Sequence, residues 1–292
     1  MNHKSGFVNI LGNPNVGKST IMNALVGEKL SIISPKAQTT RHRIMGIVNG
    51  EDFQIVYSDT PGILKPKYKL QETMMNLVNT ALSDADLILY ITDINEHSAD
   101  ESEYIDKIKE SGIPVIIAIN KIDLTNQDDL EKIVESWHMA FPQSPVIPIS
   151  ALEKFNLDSL LNVIQEKLPE GPPYFPKDHL TDKYERFFAS EIIREKILIH
   201  YKKEIPYSVE IEIESFSEEK NLIRIRAVIH VTRDSQKGII IGHNGNMLKR
   251  VGTSARHDME DFFRKKIFLE LYVKVTKDWR DKPLTLKRFG YR

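Results

Sequence analysis

The chain has no cysteine among its 292 residues, which excludes disulfides, thiol catalysis and cysteine-based metal sites. It also lacks any apolar stretch long enough to span a bilayer. Met1-Asn2-His3-Lys4 runs into the first apolar segment without a signal-peptide pattern, so a cytoplasmic protein is expected. Internal repeats and low-complexity tracts are missing as well. Net charge is close to nil, 40 Lys and Arg against 41 Asp and Glu, but the charges are unevenly spread. Residues 1–180 carry 16 basic and 24 acidic side chains, and residues 181–292 carry 24 and 17, giving −8 and +7. The second half is therefore the expected polyanion binder.

What is present begins with Gly12-Asn13-Pro14-Asn15-Val16-Gly17-Lys18-Ser19-Thr20, which fits the phosphate-loop pattern G-x-x-x-x-G-K-[ST]. The apolar run Phe7–Leu11 before it reads as a buried strand, and Ser19–Val26 has helical spacing. The glycines thus stand where a strand turns into a helix N-terminus, where backbone N–H groups and the helix dipole favour an anion. Gly12 and Gly17 let the backbone close around a phosphate, Lys18 reaches toward the β- and γ-phosphates, and the Ser19 hydroxyl is placed to ligate magnesium.

Asp59-Thr60-Pro61-Gly62 follows the strand-like run Ile55-Val56-Tyr57, so the Asp59 carboxylate is expected at a strand's C-terminal end, where open α/β sheets bind ligands. There it can hold the magnesium shell, and the Gly62 N–H can meet a γ-phosphate. Asn120-Lys121-Ile122-Asp123 ends the apolar run Pro114–Ile119. Asp123 can accept from guanine's ring N–H and exocyclic amine, whereas adenine would leave it unpaired, a discrimination that can reach ~10⁴-fold. Asn120 can bond the opposite base edge and tie back to the phosphate loop, and the Lys121 stem can cover the ring face. Ser150-Ala151 supplies the remaining expected guanine contact through the Ala151 N–H. In chain order these motifs read as a GTP site.

The length suggests two domains. Apolar runs near 7–11, 43–48, 53–57, 87–92, 114–119 and 145–149 alternate with helical stretches at 18–26, 69–83, 99–111, 127–140 and 156–168. That alternation predicts a mostly parallel α/β sheet covered by helices over residues 1–170. The proline-rich segment around Pro169–Pro176 reads as a linker, assigned to 171–180. Residues 181–292 change period: a helix over 182–201, alternating strands around Val209–Ile213 and Ile223–Arg226, the run Gly238–Ile241, the loop Gly242-His243-Asn244-Gly245, a helix over 246–266 and a strand over 267–275. The tail from Lys277 to Arg292 mixes Arg280, Lys282, Lys287 and Arg288 with Trp279, Phe289 and Tyr291. Such a mixture suits base stacking with phosphate contacts on single-stranded RNA; a packed end with solvated charges is the alternative.

The first half resembles the GTPases of the translation-factor class, and more closely the Era family of bacterial ribosome-associated GTPases, through residues 12–20 and Lys36-Ala37-Gln38-Thr39-Thr40-Arg41-His42-Arg43. The second half resembles a type II KH domain, an α+β fold whose Gly-x-x-Gly loop grips about four nucleotides. Ala189–Lys196 and Pro206-Tyr207-Ser208 are also similar to Era. The resemblance implies a GTPase switch using GTP, GDP and magnesium, acting as a monomer. Its implied partners are ribosomal RNA, at the 3′ end of the small-subunit RNA, and the assembling small ribosomal subunit, with a peripheral inner-membrane contact added by the family alone. It makes Lys36–Arg43 the first switch, with Thr40 (Thr39 as the alternative) binding magnesium in the GTP state, and Lys18, Thr40 and Gly62 the catalytic set. A basic surface loop is the plain reading of Arg41, His42 and Arg43. Asn15 stands either as a potassium ligand, as in related potassium-stimulated GTPases, or as a turn former.

Ile63 occupies the position where many GTPases carry a water-orienting glutamine, so intrinsic turnover is expected on the order of 10⁻⁴ to 10⁻² per second. Lys237, Ile241, Gly242, His243, Asn244, Gly245, Lys249 and Arg250 are the expected RNA contacts. A phosphate-loop kinase and a non-catalytic GTP-responsive RNA-binding adaptor are the competing classes; the first lacks an evident acceptor clamp, and Ile63 favours the second. Asp123→Asn exchanges a carboxylate for an amide that pairs with xanthine, so preference should move from GTP toward XTP by several kcal/mol. A competition assay in which the variant keeps the parent's GTP preference would refute the base assignment.

Overall fold

The computed structural model describes residues 3–96 and 103–291. The part of the helix expected over 99–111 that precedes Glu103 lies outside the described residues. The chain forms two compact units, Met1–Lys65 with Met74–Asp182 and Pro66–Thr73 with Lys183–Arg292.

In the first unit, β1 (Lys4–Leu11), β2 (Ile44–Asn49), β3 (Phe53–Asp59), β4 (Leu87–Asp93), β5 (Val115–Asn120) and β6 (Val146–Pro148) form one sheet in the order β2-β3-β1-β4-β5-β6. All pairings are parallel except β2 with β3. Leu-Ile-Leu-Tyr-Ile-Thr-Asp in β4 and Val-Ile-Ile-Ala-Ile-Asn in β5 are buried at every position, as expected of strands covered on both faces. The covering helices are α1 (Lys18–Val26), α2 (Lys69–Ser83, from Met74 onward in this unit), α3 (Glu103–Glu110), α4 (Gln127–Ala140) and α5 (Leu157–Lys167). Among the parallel strands the register pairs Ile10 with Asp59, Leu11 with Tyr90, and Asp93 with Asn120. It thereby brings the ends of β1, β3, β4 and β5 to one edge.

Residues 171–182 are fastened to this unit. The buried Gln54 side chain accepts from the N–H groups of Tyr174 and Phe175, at 2.7 and 2.9 Å, and donates to Phe175 O at 2.8 Å. Further along, Leu180 O accepts from Ile47 N at 2.8 Å, and the Asp182 carboxylate accepts from Met45 N at 3.0 Å. The prolines prevent a helix here but leave carbonyls available to the β2 backbone and to the Gln54 side chain of β3.

The second unit contains α6 (Glu185–His200), β7 (Glu210–Glu218), β8 (Leu222–Val231), α7 (Asp234–Ile241), α8 (Asn246–Phe263), β9 (Lys266–Val275) and α9 (Pro283–Arg288). Its sheet has the order β7-β8-β9, with β7 antiparallel and β9 parallel to β8. Ile211, Ile223, Ile225, Ala227, Ile229 and Ile267 share a core with Ile193, Ile197, Ile240, Val251 and Met259 from the helices. Inside α6 the buried Arg194 donates to both oxygens of Glu191, at 2.7 and 2.5 Å, which pairs a charge that could not stay alone there. No helix among the described residues is long and apolar enough to cross a membrane.

The aromatic tail is packed, and its rings are not free for stacking on bases. Trp279 is fully buried, donating from Nε1 to Ser208 O at 3.0 Å, and the buried Tyr291 hydroxyl donates to Glu210 at 2.6 Å. Phe289 lies against both Trp279 and His230. Trp279→Ala should accordingly destabilise the second unit by about 3–5 kcal/mol, read as a shift of its urea transition. An unshifted transition would mean that the ring is not part of the core.

Candidate nucleotide site and nucleic-acid groove

The phosphate loop joins β1 to α1 through backbone conformations that only glycine adopts easily. Gly12 has φ 146°, and a Cβ there would stand 2.1 Å from Ile91 O; Gly17 has φ 101°, and a Cβ would stand 2.2 Å from Asn120 Nδ2. Gly62 approaches the same loop, with an ideal Cβ 2.9 Å from Pro14 N. The loop can therefore lie flat against the strand ends. Asn15 is exposed at φ 67°.

Lys18 is buried and turns its ammonium onto loop carbonyls, donating to Gly12 O at 3.0 Å and Asn13 O at 2.7 Å. Burial lowers its pKa to about 8, against the opposing pull of Asp59 and Glu96. Asn13 is held in turn by Glu96, at 2.6 Å, and Glu96 also accepts from Thr92 at 2.7 Å. Glu96 was not legible as a site residue, because it belongs to no nucleotide motif.

Three oxygens meet at the start of α1. Ser19 Oγ donates to Asp59 Oδ2 at 2.7 Å, Thr40 Oγ1 donates to the same oxygen at 3.1 Å, and the two hydroxyls are 2.9 Å apart. Asp59 is fully buried, which raises its pKa, while the two hydroxyls and Lys18 counteract that shift. An all-oxygen cluster around a buried carboxylate fits magnesium. Thr40, and not Thr39, joins this cluster; Thr39 Oγ1 donates to Lys36 O at 2.5 Å. The surface reading of the neighbouring basic residues does not hold for Arg41 and Arg43. Arg41 is fully buried, and Arg43 bonds Ser58 at 2.5 Å, Asp84 at 2.5 and 3.0 Å and Asn9 at 3.1 Å.

Asn120 ties the base end together by donating to Val16 O at 2.8 Å and accepting from Ala151 N at 3.0 Å. The Ala151 amide, expected on the base, is thus engaged with Asn120. Ser150 Oγ donates to Asp123 at 2.5 Å, and Lys121 Nζ bonds Asn15 O at 2.7 Å and Asp93 at 2.6 Å. Thr60 anchors its segment by donating to Ile10 O at 2.7 Å. These loops enclose a cavity of about 530 Å³ whose walls also include Ile32, Leu124 and Leu152. Those three apolar side chains suit the faces of a flat ring, and nothing in their local sequence distinguished them from core.

The second unit has its own groove, about 390 Å³, between α8 and β9. Gly245 and Lys249 line it, joined by Leu248, Gly252, Arg256, Leu269 and others that sequence reasoning missed. A Cβ at Gly252 would press to 3.3 Å from Leu271, so glycine keeps this wall open. His243 and Asn244 are exposed in the loop, Asn244 at φ 51°. Arg250 is exposed, Lys237 and Ile241 are half-buried, and none of the three is part of the groove wall.

A phosphate loop, a strand-end aspartate and an Asn-Lys-x-Asp segment on one sheet edge define a GTPase, here followed by an RNA-binding fold of the KH type. A family model described as "50S ribosome-binding GTPase" matches residues 7–121, and a "KH domain" model matches 204–280. The chain is 46% identical over 291 residues to GTPase Era of Staphylococcus haemolyticus and 45% identical over 291 residues to that of Staphylococcus epidermidis, each match covering 99% of this chain and 97% of the relative. Crystal structures of Era with MgGDPNP and nucleotides 1506–1542 of 16S ribosomal RNA, and of an Aquifex aeolicus Era variant bound to GDP and AlF4⁻, are similar to it. Each is 41% identical, with a TM-score of 0.95 and 99% of both chains covered. The chain belongs to the Era family of GTPases.

The lowered pKa of Lys18 has a measurable consequence. A bound nucleotide's phosphates would restore its proton, so nucleotide affinity should be level at neutral pH and fall above about pH 8, by at most about tenfold per pH unit. Calorimetry in buffers of different ionisation enthalpy should register proton uptake on binding near that pH. Affinity that is flat up to pH 10 would contradict it.

Proposed function

We propose that the protein is a GTP-hydrolysing switch whose second unit binds the 3′ region of small-subunit ribosomal RNA during assembly of the small subunit, acting as a cytoplasmic monomer. The observation that carries this reading is the meeting of Ser19, Thr40 and Asp59 around one carboxylate oxygen. It couples the phosphate loop to the segment proposed as first switch. Support for the RNA comes from the relative solved with nucleotides 1506–1542 of 16S ribosomal RNA and from the groove beside Gly242–Gly245.

Ser19 and Thr40 would hold the magnesium, with Asp59 bonded to its water shell. When bound, magnesium neutralises charge on the β- and γ-phosphates. Lys18 would leave the Gly12 and Asn13 carbonyls for those phosphates, and the Gly62 amide would meet the γ-phosphate. Asn120, Lys121, Asp123, Ser150 and Ala151 would hold guanine. Ile63 is buried and has no group that can orient water, so unassisted hydrolysis is proposed to be slow, with potassium beside Asn15 as a candidate aid. The same residue favours the second reading, an RNA-binding adaptor in which GTP is sensed without turnover. Residues 1–170 would carry the nucleotide work and 181–292 the RNA.

Placing carboxylates in the exposed loop, as His243→Asp with Asn244→Asp, should lower affinity for the 16S segment roughly tenfold or more at moderate salt. Hydrolysis without RNA should stay at the parent's rate, and any RNA stimulation should be lost. Filter binding and phosphate release on one preparation give both numbers. Unchanged RNA affinity would remove the loop from the RNA site, and a parent that releases no phosphate with or without RNA would leave the adaptor.

A further inference from the structure

One face of the β7-β8-β9 sheet packs on helices, and the other face is divided. Over the part holding Glu210, Glu212 and His230 lies the C-terminal segment: the Phe289 ring is 4.8 Å from His230, Arg288 pairs with Glu212, and Tyr291 bonds Glu210. The rest of the face is open. Register aligns Ser217, Arg224 and Phe268 in one row across the three strands, and Ser215, Arg226 and Glu270 in the next. Tyr272 follows on the same face by two-residue alternation. Phe268 and Tyr272 are each 47% exposed. The Arg224 guanidinium lies 5.4 Å from the Phe268 ring centre and that of Arg226 5.3 Å from the Tyr272 ring centre.

The chemistry of this open part is selective. Arg224 pairs with Glu219 and Arg226 with Glu270, Lys266 reaches Glu260 of α8, and Lys274 stands opposite His230, so the guanidinium groups of the open part are each held beside both a ring and a carboxylate. The two rows contain serine, arginine, phenylalanine and one glutamate, with no exposed aliphatic side chain of the kind that covers a protein-docking sheet. Rings that offer flat faces, guanidinium groups and hydroxyls together match unpaired nucleotides, which stack on rings while cations meet phosphates. Continuity supplies the occupant. β9 is an edge strand; its Leu269 and Leu271 line the groove beside α8, and Phe268 and Tyr272 project from its other face. A strand leaving the groove passes over one backbone to reach them.

We propose that this half-face is a second RNA platform, on which nucleotides flanking those in the groove stack against Phe268 and Tyr272. The proposal rests on the RNA-binding reading above. It is tested by fluorescence anisotropy on the full chain with two nested fragments of the 16S 3′ segment, one of about six nucleotides that fills the groove and one of about sixteen. The parent should prefer the longer fragment roughly tenfold or more. Phe268→Leu with Tyr272→Leu should erase that preference while sparing the short fragment and GTP hydrolysis without RNA. Arg224→Gln with Arg226→Gln, which leaves the rings in place, should weaken only the longer fragment and reduce its salt dependence.

A retained preference for the longer fragment in both variants overturns the platform, as does equal loss for both fragments. A parent that binds neither fragment overturns RNA binding itself, and the platform with it.

Discussion

Asp59 is a carboxylate fully buried at the end of β3, and burial alone favours its neutral form. The hydroxyls of Ser19 and Thr40 and the nearby ammonium of Lys18 oppose that shift. The partners come from two segments: Ser19 and Lys18 from the start of α1, Thr40 from the irregular stretch before β2. An uncompensated charge in such a place would cost several kcal/mol. The arrangement therefore holds the phosphate loop and the 36–43 segment together, and it presents an oxygen cluster suited to a divalent cation. Lys18 stands under a related constraint, buried and turned onto the carbonyls of Gly12 and Asn13.

The parallel sheet makes this meeting possible. Strands in register deliver Leu11, Asp59, Asp93 and Asn120 to one edge, so residues more than a hundred positions apart close one cavity. Asn120 then links the phosphate loop to the Ser150-Ala151 turn by two hydrogen bonds. In the second unit the same economy of layers leaves one sheet face for the helices and the groove, and the other for the C-terminal segment and the exposed rings.

Much of this was legible in the sequence wherever chemistry is local. The phosphate loop, Asp59 and Asn120–Asp123 each follow an apolar run whose length and composition specify a strand, and period-two alternation gave β7 and β8. What escaped depends on long-range contacts. Trp279 and Tyr291 belong to a tail whose composition suits a solvated arm or a core equally, and only Ser208 and Glu210 decide. Arg41 is buried beside a loop that reads as basic surface. The proline-rich stretch after Pro169 reads as a tether, yet Gln54, some 120 positions earlier, bonds its backbone. Phe268 and Tyr272 sit on a strand whose alternation was apparent, but their pairing with Arg224 and Arg226 needed the register.

In the proposed switch, Thr40 would sense the γ-phosphate through the cluster around Asp59. The direct measurement is the affinity of Thr40→Ala for GDP and for a non-hydrolysable GTP analogue, each with saturating magnesium. Triphosphate affinity should fall while GDP binding stays close to the parent's. Equal loss for both nucleotides, or none for either, would contradict it.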